Sequence, residues 1–316
     1  MSVSVVDSIA PLKGPRFSGH ETFACRYAWL PKAYRALKAD PDLFVDDESA
    51  MAELGLGKNM VRSLKFWVEV MNIAEPDGRS RRMRTTPFAD QVLSEDGFDP
   101  YLEDPQTLWL LHWVLASRRE APLFAWKFML GDWTYPEFTR SEALTAITVA
   151  SKNLGLEHSN VTLGQHLDIF LHTYLSTRGQ SFGIEDSLDG PFVNLQLLLP
   201  LGERRNDTGR WEPVFGFRRE PKPDISDKLF DYCLADYWTR FSPEEGTLPL
   251  RQIALGPSSP GQVFKLSEDD VRTRLEESSA RRDATYTYQP SAVQGLVSRK
   301  TRAKAVILDD IYDEVG

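Results

Sequence analysis

Apolar residues recur at helical spacing over Met60, Val61, Leu64, Trp67, Val68 and Met71, which predicts a helix beginning near Lys58 with one buried stripe. Gly55 and Gly57 stand before it, where a tight turn needs residues that tolerate unusual backbone angles. Upstream, residues 46–54 read as a short helix opened by an acidic cap. Downstream, Asn72, Ile73 and Ala74 suit a strand start, and Glu75, Pro76, Asp77 and Gly78 have turn composition. Residues 79–86 then alternate as a basic strand. Helix, short strand, turn and basic strand is the order of a winged helix, whose helix enters a groove while the wing lies on the backbone.

The same reading carries along the chain. Tyr27, Leu30, Ala33, Tyr34 and Leu37 give a helix whose first turn accommodates Pro31. Residues 107–116 are apolar nearly all round and predict a buried helix, with His112 a core histidine; residues 124–130 continue similarly. Thr139 and Glu142 have capping-box spacing for a helix reaching 154. A helix over 162–174 holds His166, Asp168 and His172, and histidines six apart lie on different faces, unlike the i, i+4 pair of a helical metal site. Residues 211–218 read as a strand, and 224–238 as a helix with Cys233 on its apolar stripe. Ser267 caps a helix through Leu275, and residues 285–288 pair with 293–298 as a hairpin. The expected fold is mainly α with small β: an N-terminal winged helix, a helical middle and a C-terminal winged-helix-like module. The expected segments are a tail at 1–15, the winged helix at 16–100, the helical middle at 101–240, an α+β module at 241–298 and a tail at 299–316.

Composition narrows the function. In a chain of 316 residues, 41% hydrophobic content is ample for a core. No apolar run approaches the roughly 20 residues that cross a bilayer, and the first dozen residues lack the pattern of a signal peptide. Two cysteines far apart argue against a disulfide framework or a Cys-rich zinc site, so the expected location is cytoplasmic. The net charge of -9 requires any nucleic-acid contact to be local. Residues 58–84 supply such a patch: Lys58, Arg62, Lys65, Arg79, Arg81, Arg82 and Arg84 against Glu69, Glu75 and Asp77. With Asn59 on the same helix, these are the expected DNA-binding residues. Asn59 and Arg62 suit base edges, and Lys58 and the wing arginines suit phosphates.

His20, Glu21 and Arg26 place a base, a carboxylate and a cation close in sequence, a candidate catalytic set. The alternative is that His20 and Glu21 bond backbone groups and lock the entry to the first helix. Asp186 and Asp189 could hold a divalent cation such as Mg2+, although their spacing fits no named metal loop and a solvated acidic turn accounts for them better. The identity of any metal is left open.

The stretch from Phe17 through His20, Glu21, Thr22 and Phe23, with Arg26, Trp29, Leu30, Lys32 and Ala33, resembles the opening of domain-of-unknown-function family 4007. Residues 54–67 resemble that family's second signature, and 260–268 its C-terminal one. The resemblance implies the DNA-nicking subunit of single-strand phosphorothioation systems used in phage defence. It also implies partners: DNA, a cysteine desulfurase, an ATPase and a sulfurtransferase. Two other readings stay open, a non-catalytic DNA-binding adaptor and a protein-interaction subunit whose basic patch meets an acidic partner.

Overall fold

A computed structural model describes residues 14–78, 81–176, 190–291, 294–300 and 306–313. In chain order the helices and strands begin with α1 (Trp29–Ala39), α2 (Asp47–Leu54), α3 (Lys58–Val70), β1 (Ala74–Pro76), β2 (Met83–Thr85), α4 (Pro87–Leu93) and α5 (Pro105–Ala116). There follow α6 (Phe124–Trp126), β3 (Glu137–Thr139), α7 (Arg140–Asn153), α8 (Asn160–Tyr174), β4 (Leu198–Arg205) and β5 (Trp211–Phe217). The chain continues with α9 (Asp227–Phe241), β6 (Thr247–Pro249), α10 (Leu250–Leu255), α11 (Pro260–Val263), α12 (Glu268–Ala280), β7 (Tyr286–Gln289), β8 (Leu296–Arg299) and α13 (Leu308–Tyr312). The fold is mainly α with small antiparallel sheets, and no described helix is long and apolar enough to cross a membrane.

Packing divides the chain into two units, each assembled from separate stretches. One comprises residues 17–114 and 135–218, the other 1–16, 115–134 and 219–316. The first unit opens with α1, α2 and α3 followed by the β1–β2 hairpin. Asp46 caps α2 by accepting from the Ser49 N–H at 2.8 Å, and Gly55 ends it in the left-handed conformation, φ 60°. Helix α3 begins at Lys58 and buries Val61, Leu64, Trp67 and Val68; Phe66 and Val70 join them, while Met60 is half-buried. Glu75 and Pro76 belong to β1, not to the turn that their composition suggested, because β1 pairs with β2 from Ala74↔Thr85 to Pro76↔Met83. The turn is displaced onto the residues after Pro76, with the Asp77 N–H donating to the Arg82 carbonyl at 3.0 Å.

Later in this unit α5 is buried, and His112 bonds the Tyr174 hydroxyl at 2.9 Å, as a satisfied core histidine should. Strand β3 runs directly into α7 through Thr139, which forms the expected capping box with Glu142. After α8, strands β4 and β5 form a hairpin, and the sheet order is β3-β5-β4. The second unit repeats this topology. Strand β6 runs into α10, helices α11 and α12 follow, and β7 and β8 form a hairpin in a sheet of order β6-β8-β7. In both sheets the strand before the helices pairs with the last strand of the hairpin, closing the module on itself. Cys25 and Cys233 are both buried free thiols.

Candidate nucleic-acid interface

The three stretches that carry the family resemblance meet main-chain acceptors. The Phe23 carbonyl, in the N-terminal stretch, receives the Trp67 indole N–H at 3.0 Å and the Ser63 hydroxyl at 3.3 Å, both from α3. In the other unit Gln262 and Lys265 both donate to the Trp133 carbonyl, at 2.6 and 3.2 Å. Burial drives the Lys265 ammonium well below its ordinary pKa. These motifs hold the fold together where its backbone turns.

His20 follows that pattern. It is 2% exposed. Its Nδ1 lies 2.9 Å from Glu21's own carbonyl, which can only accept, so the proton sits on Nδ1. Its Nε2 lies 2.9 Å from His166 Nδ1, and the two imidazoles stack at 5.2 Å between centres and 11° between planes. Burial, then the proximity of His20 and His158, pushes the His166 pKa well below its ordinary value. Glu21 turns through φ 53° and is exposed, and the Arg26 guanidinium lies 5.6 Å above the Trp29 ring. His20 is thus coupled to Glu21 through the backbone carbonyl and to α8 through a histidine pair. Asp168 holds Arg140 through two bonds of 2.6 and 2.8 Å, and His172 is exposed. Among the described residues no three His, Cys, Asp or Glu side chains converge to hold a metal; Asp186 and Asp189 lie outside the described residues.

Of the expected DNA-binding residues that the structure describes, Lys58, Arg62, Arg82 and Arg84 are met by carboxylates. Asp47, in the first turn of α2, bonds Arg62 at 3.0 Å and sits 3.7 Å from Lys58. Asp42 pairs with Arg82 at 2.9 Å, and Glu75 with Arg84 at 2.7 Å across the hairpin. Lys65 is half-buried and donates to the Phe44 carbonyl at 3.4 Å. Asn59 and Arg81 are exposed, and Arg79 lies outside the described residues. Exposed ion pairs of this kind contribute only about 0–1 kcal/mol, so a phosphate can replace the carboxylate at little cost.

The β4–β5 hairpin was missed as a surface element in the sequence, where 211–218 reads as a strand without a partner. The signal is Asn206, Asp207, Thr208 and Gly209 between two extended stretches. Arg204, Arg205, Arg210 and Trp211 cluster at its tip.

The arrangement defines a mainly helical protein built from helix–helix–hairpin modules, with cations gathered on two hairpins and one helix. The chain belongs to the family described as "Protein of unknown function (DUF4007)", whose model matches residues 17–312. No curated protein matches its sequence. Among solved structures it is similar to a magnesium-ion-bound SspB, with 26% identity and TM-score 0.79 over 91% of this chain and 84% of that one. A second SspB crystal structure matches at 25% identity and TM-score 0.76, over 92% and 85% of the two chains.

Proposed function

We propose that this protein binds DNA and nicks it as a component of a phosphorothioation-based modification and defence system in the cytoplasm. The observation that carries the reading is its likeness to SspB along 91% of the chain at 26% identity. The nicking step and the partners (a cysteine desulfurase, an ATPase and a sulfurtransferase) come from the family resemblance. The helix–helix–hairpin modules are read as winged helices. In the first of them, Lys58, Asn59, Arg62 and Lys65 of α3, with Arg79, Arg81, Arg82 and Arg84 of the wing, supply the DNA-binding face. Magnesium is bound in the solved SspB; among the described residues no three His, Cys, Asp or Glu side chains gather to hold it, and Asp186 and Asp189 stay as candidates for such a cation. His20 remains a candidate for nicking together with Glu21 and Arg26.

A specific observation favours a second reading, a DNA-binding adaptor without catalysis. His20 is buried and its ring nitrogens meet Glu21's carbonyl and His166, an arrangement suited to locking the fold. Supercoiled plasmid incubated with purified protein, with and without Mg2+, separates the readings. Relaxed circles are expected. Salt-sensitive binding without relaxation under either condition would establish the adaptor, and absence of binding at low salt would leave the protein-interaction reading.

A further inference from the structure

Of the eight tryptophans, Trp211 alone is exposed, at 60%, while the other seven are buried. It opens β5 opposite Arg205 at the end of β4, and the Arg205 guanidinium lies 5.2 Å from the indole centre. A large aromatic left in water on an ordered hairpin forgoes the stabilisation that burial would give it, and beside a guanidinium it presents an aromatic surface and a cation together.

The hairpin tip is held firmly. Asn206 Oδ1 accepts from the Thr208 and Arg210 backbone N–H groups at 3.0 Å each and from the Thr208 hydroxyl at 2.7 Å. The Asn206 side-chain amide donates to Glu212 at 2.5 Å, and Gly209 takes φ 79° to close the turn. Arg204 braces the hairpin by bonding Glu137 and Glu142 at 3.1 and 2.6 Å. Arg205 and Arg210 are exposed and form no ion pair among the described residues.

We infer that the tip of the β4–β5 hairpin is a stacking platform for an unpaired nucleobase of single-stranded DNA, with Trp211 as the platform and Arg205 and Arg210 as holders of flanking phosphates. The inference rests on the DNA-binding reading above and adds a strand preference to it. An indole face accepts any base, since every base has a π face, and a fixed platform costs little entropy on binding. Bases inside a duplex are already stacked on each other, so this surface selects those that are not. Along the tip the exposed neighbours of Trp211 are Arg205, Asp207, Thr208 and Arg210, and two arginines beside one aromatic suit a polyanion with bases to stack.

The test measures anisotropy of labelled single-stranded and duplex oligonucleotides with full-length wild type, Trp211→Ala, Trp211→Phe and Arg205→Ala. A 2-aminopurine oligonucleotide reports stacking directly. Trp211→Ala should weaken single-strand binding by about tenfold or more, abolish 2-aminopurine quenching and leave duplex affinity and melting temperature unchanged. Trp211→Phe should restore most of both single-strand signals, and Arg205→Ala should weaken single-strand binding and flatten its salt dependence. Wild type that binds duplex but not single strands would overturn the platform and leave the proposed function standing. So would a Trp211→Ala loss that is equal on both substrates, or single-strand affinity that the variant keeps. Wild type that binds neither substrate would overturn the DNA-binding reading and the platform with it.

Discussion

The β1–β2 and β4–β5 hairpins both carry arginines, and they present them differently. Around β1–β2, Arg82 meets Asp42, Arg84 meets Glu75, and on the neighbouring helix Arg62 meets Asp47. Around β4–β5, Arg204 is tied to Glu137 and Glu142 while Arg205 and Arg210 stay open beside an exposed tryptophan. A run of residues rich in arginine therefore does not report the field above it. Asp42 and Asp47 lie outside residues 58–84, and the fold brings them against the patch that a count along the chain treats as unopposed. Each hairpin has arginines held by carboxylates and arginines left exposed, Arg81 on the first and Arg205 and Arg210 on the second; what separates them is the exposed Trp211 beside the second pair.

The two modules also differ in what a tryptophan does, and substitution should expose this with the largest effect. Trp67 is fully buried and bonds the Phe23 carbonyl, so Trp67→Ala should cost about 3–5 kcal/mol. Urea denaturation would measure it. Trp211→Ala should leave the same curve unmoved. Equal losses in the two variants would erase the distinction between a core anchor and a surface platform.

His20 gives the next largest effect. His20→Ala removes the buried ring that bonds His166 Nδ1 at 2.9 Å, a loss of about 1–3 kcal/mol. The melting temperature should fall, and any nicking should fall only in proportion to the folded fraction. A variant that melts normally, binds DNA and fails to nick would move His20 into the chemistry. The pair also sets a pH dependence. His166 has a folded pKa well below its ordinary value near 6.5, so the unfolded chain binds the proton first as pH falls. Its stabilisation is complete above about pH 6.5 and is lost progressively below it. Thermal unfolding of wild type from pH 7.5 to 5 should show this decline, and His166→Phe, if it folds, should flatten it.

Local signals made much of this fold readable. Helix α3 was legible because its stripe is regular and two glycines mark its entry. The α2 cap and the Thr139 capping box were legible because each is written within four residues. The error at Glu75 and Pro76 came from the opposite situation, since a cross-strand ladder with Met83 and Arg84 overrode turn composition. The His20–His166 bond spans 146 positions, and no spacing rule could connect them. The β4–β5 hairpin was half legible: its turn residues are plain, but β4 opens with Leu198 and Leu199 and carries Pro200 and Gly202 at a bulge, which disguises the alternation. The candidate interface was legible as residue types and not as charges free to act.

Salt dependence sharpens the comparison of the hairpins. Replacing Arg81 and Arg82 together with Ala should flatten the duplex salt slope by roughly 0.9 for each phosphate no longer neutralised. Single-strand affinity should change less. Replacing Arg205 and Arg210 should do the reverse, with roughly 0.7 per phosphate on single strands. Identical slopes for both double variants on both substrates would mean that the hairpins do not divide the work.

The smallest effect belongs to Asp47, and it bears most directly on α3. Asp47 opens α2 and faces both Lys58 and Arg62. As an acid in a helix's first turn it contributes about 0.3–1 kcal/mol at the surface, and its exposed ion pairs contribute no more than about 1 kcal/mol. Asp47→Ala should therefore lower stability only slightly. If α3 faces DNA, the same change frees two cations and removes a negative charge that repels phosphates. Duplex affinity should rise a few-fold, and the gain should vanish at high salt. Arg62→Ala should lose affinity and relax any sequence preference, because a bidentate arginine–guanine contact discriminates by about 1–3 kcal/mol. In the Asp47→Ala background Arg62→Ala should cost more than in wild type, since the arginine no longer divides itself between a carboxylate and DNA. Unchanged affinity in both single variants would show that α3 is turned away from DNA, and the basic face would then be assigned to an acidic protein partner.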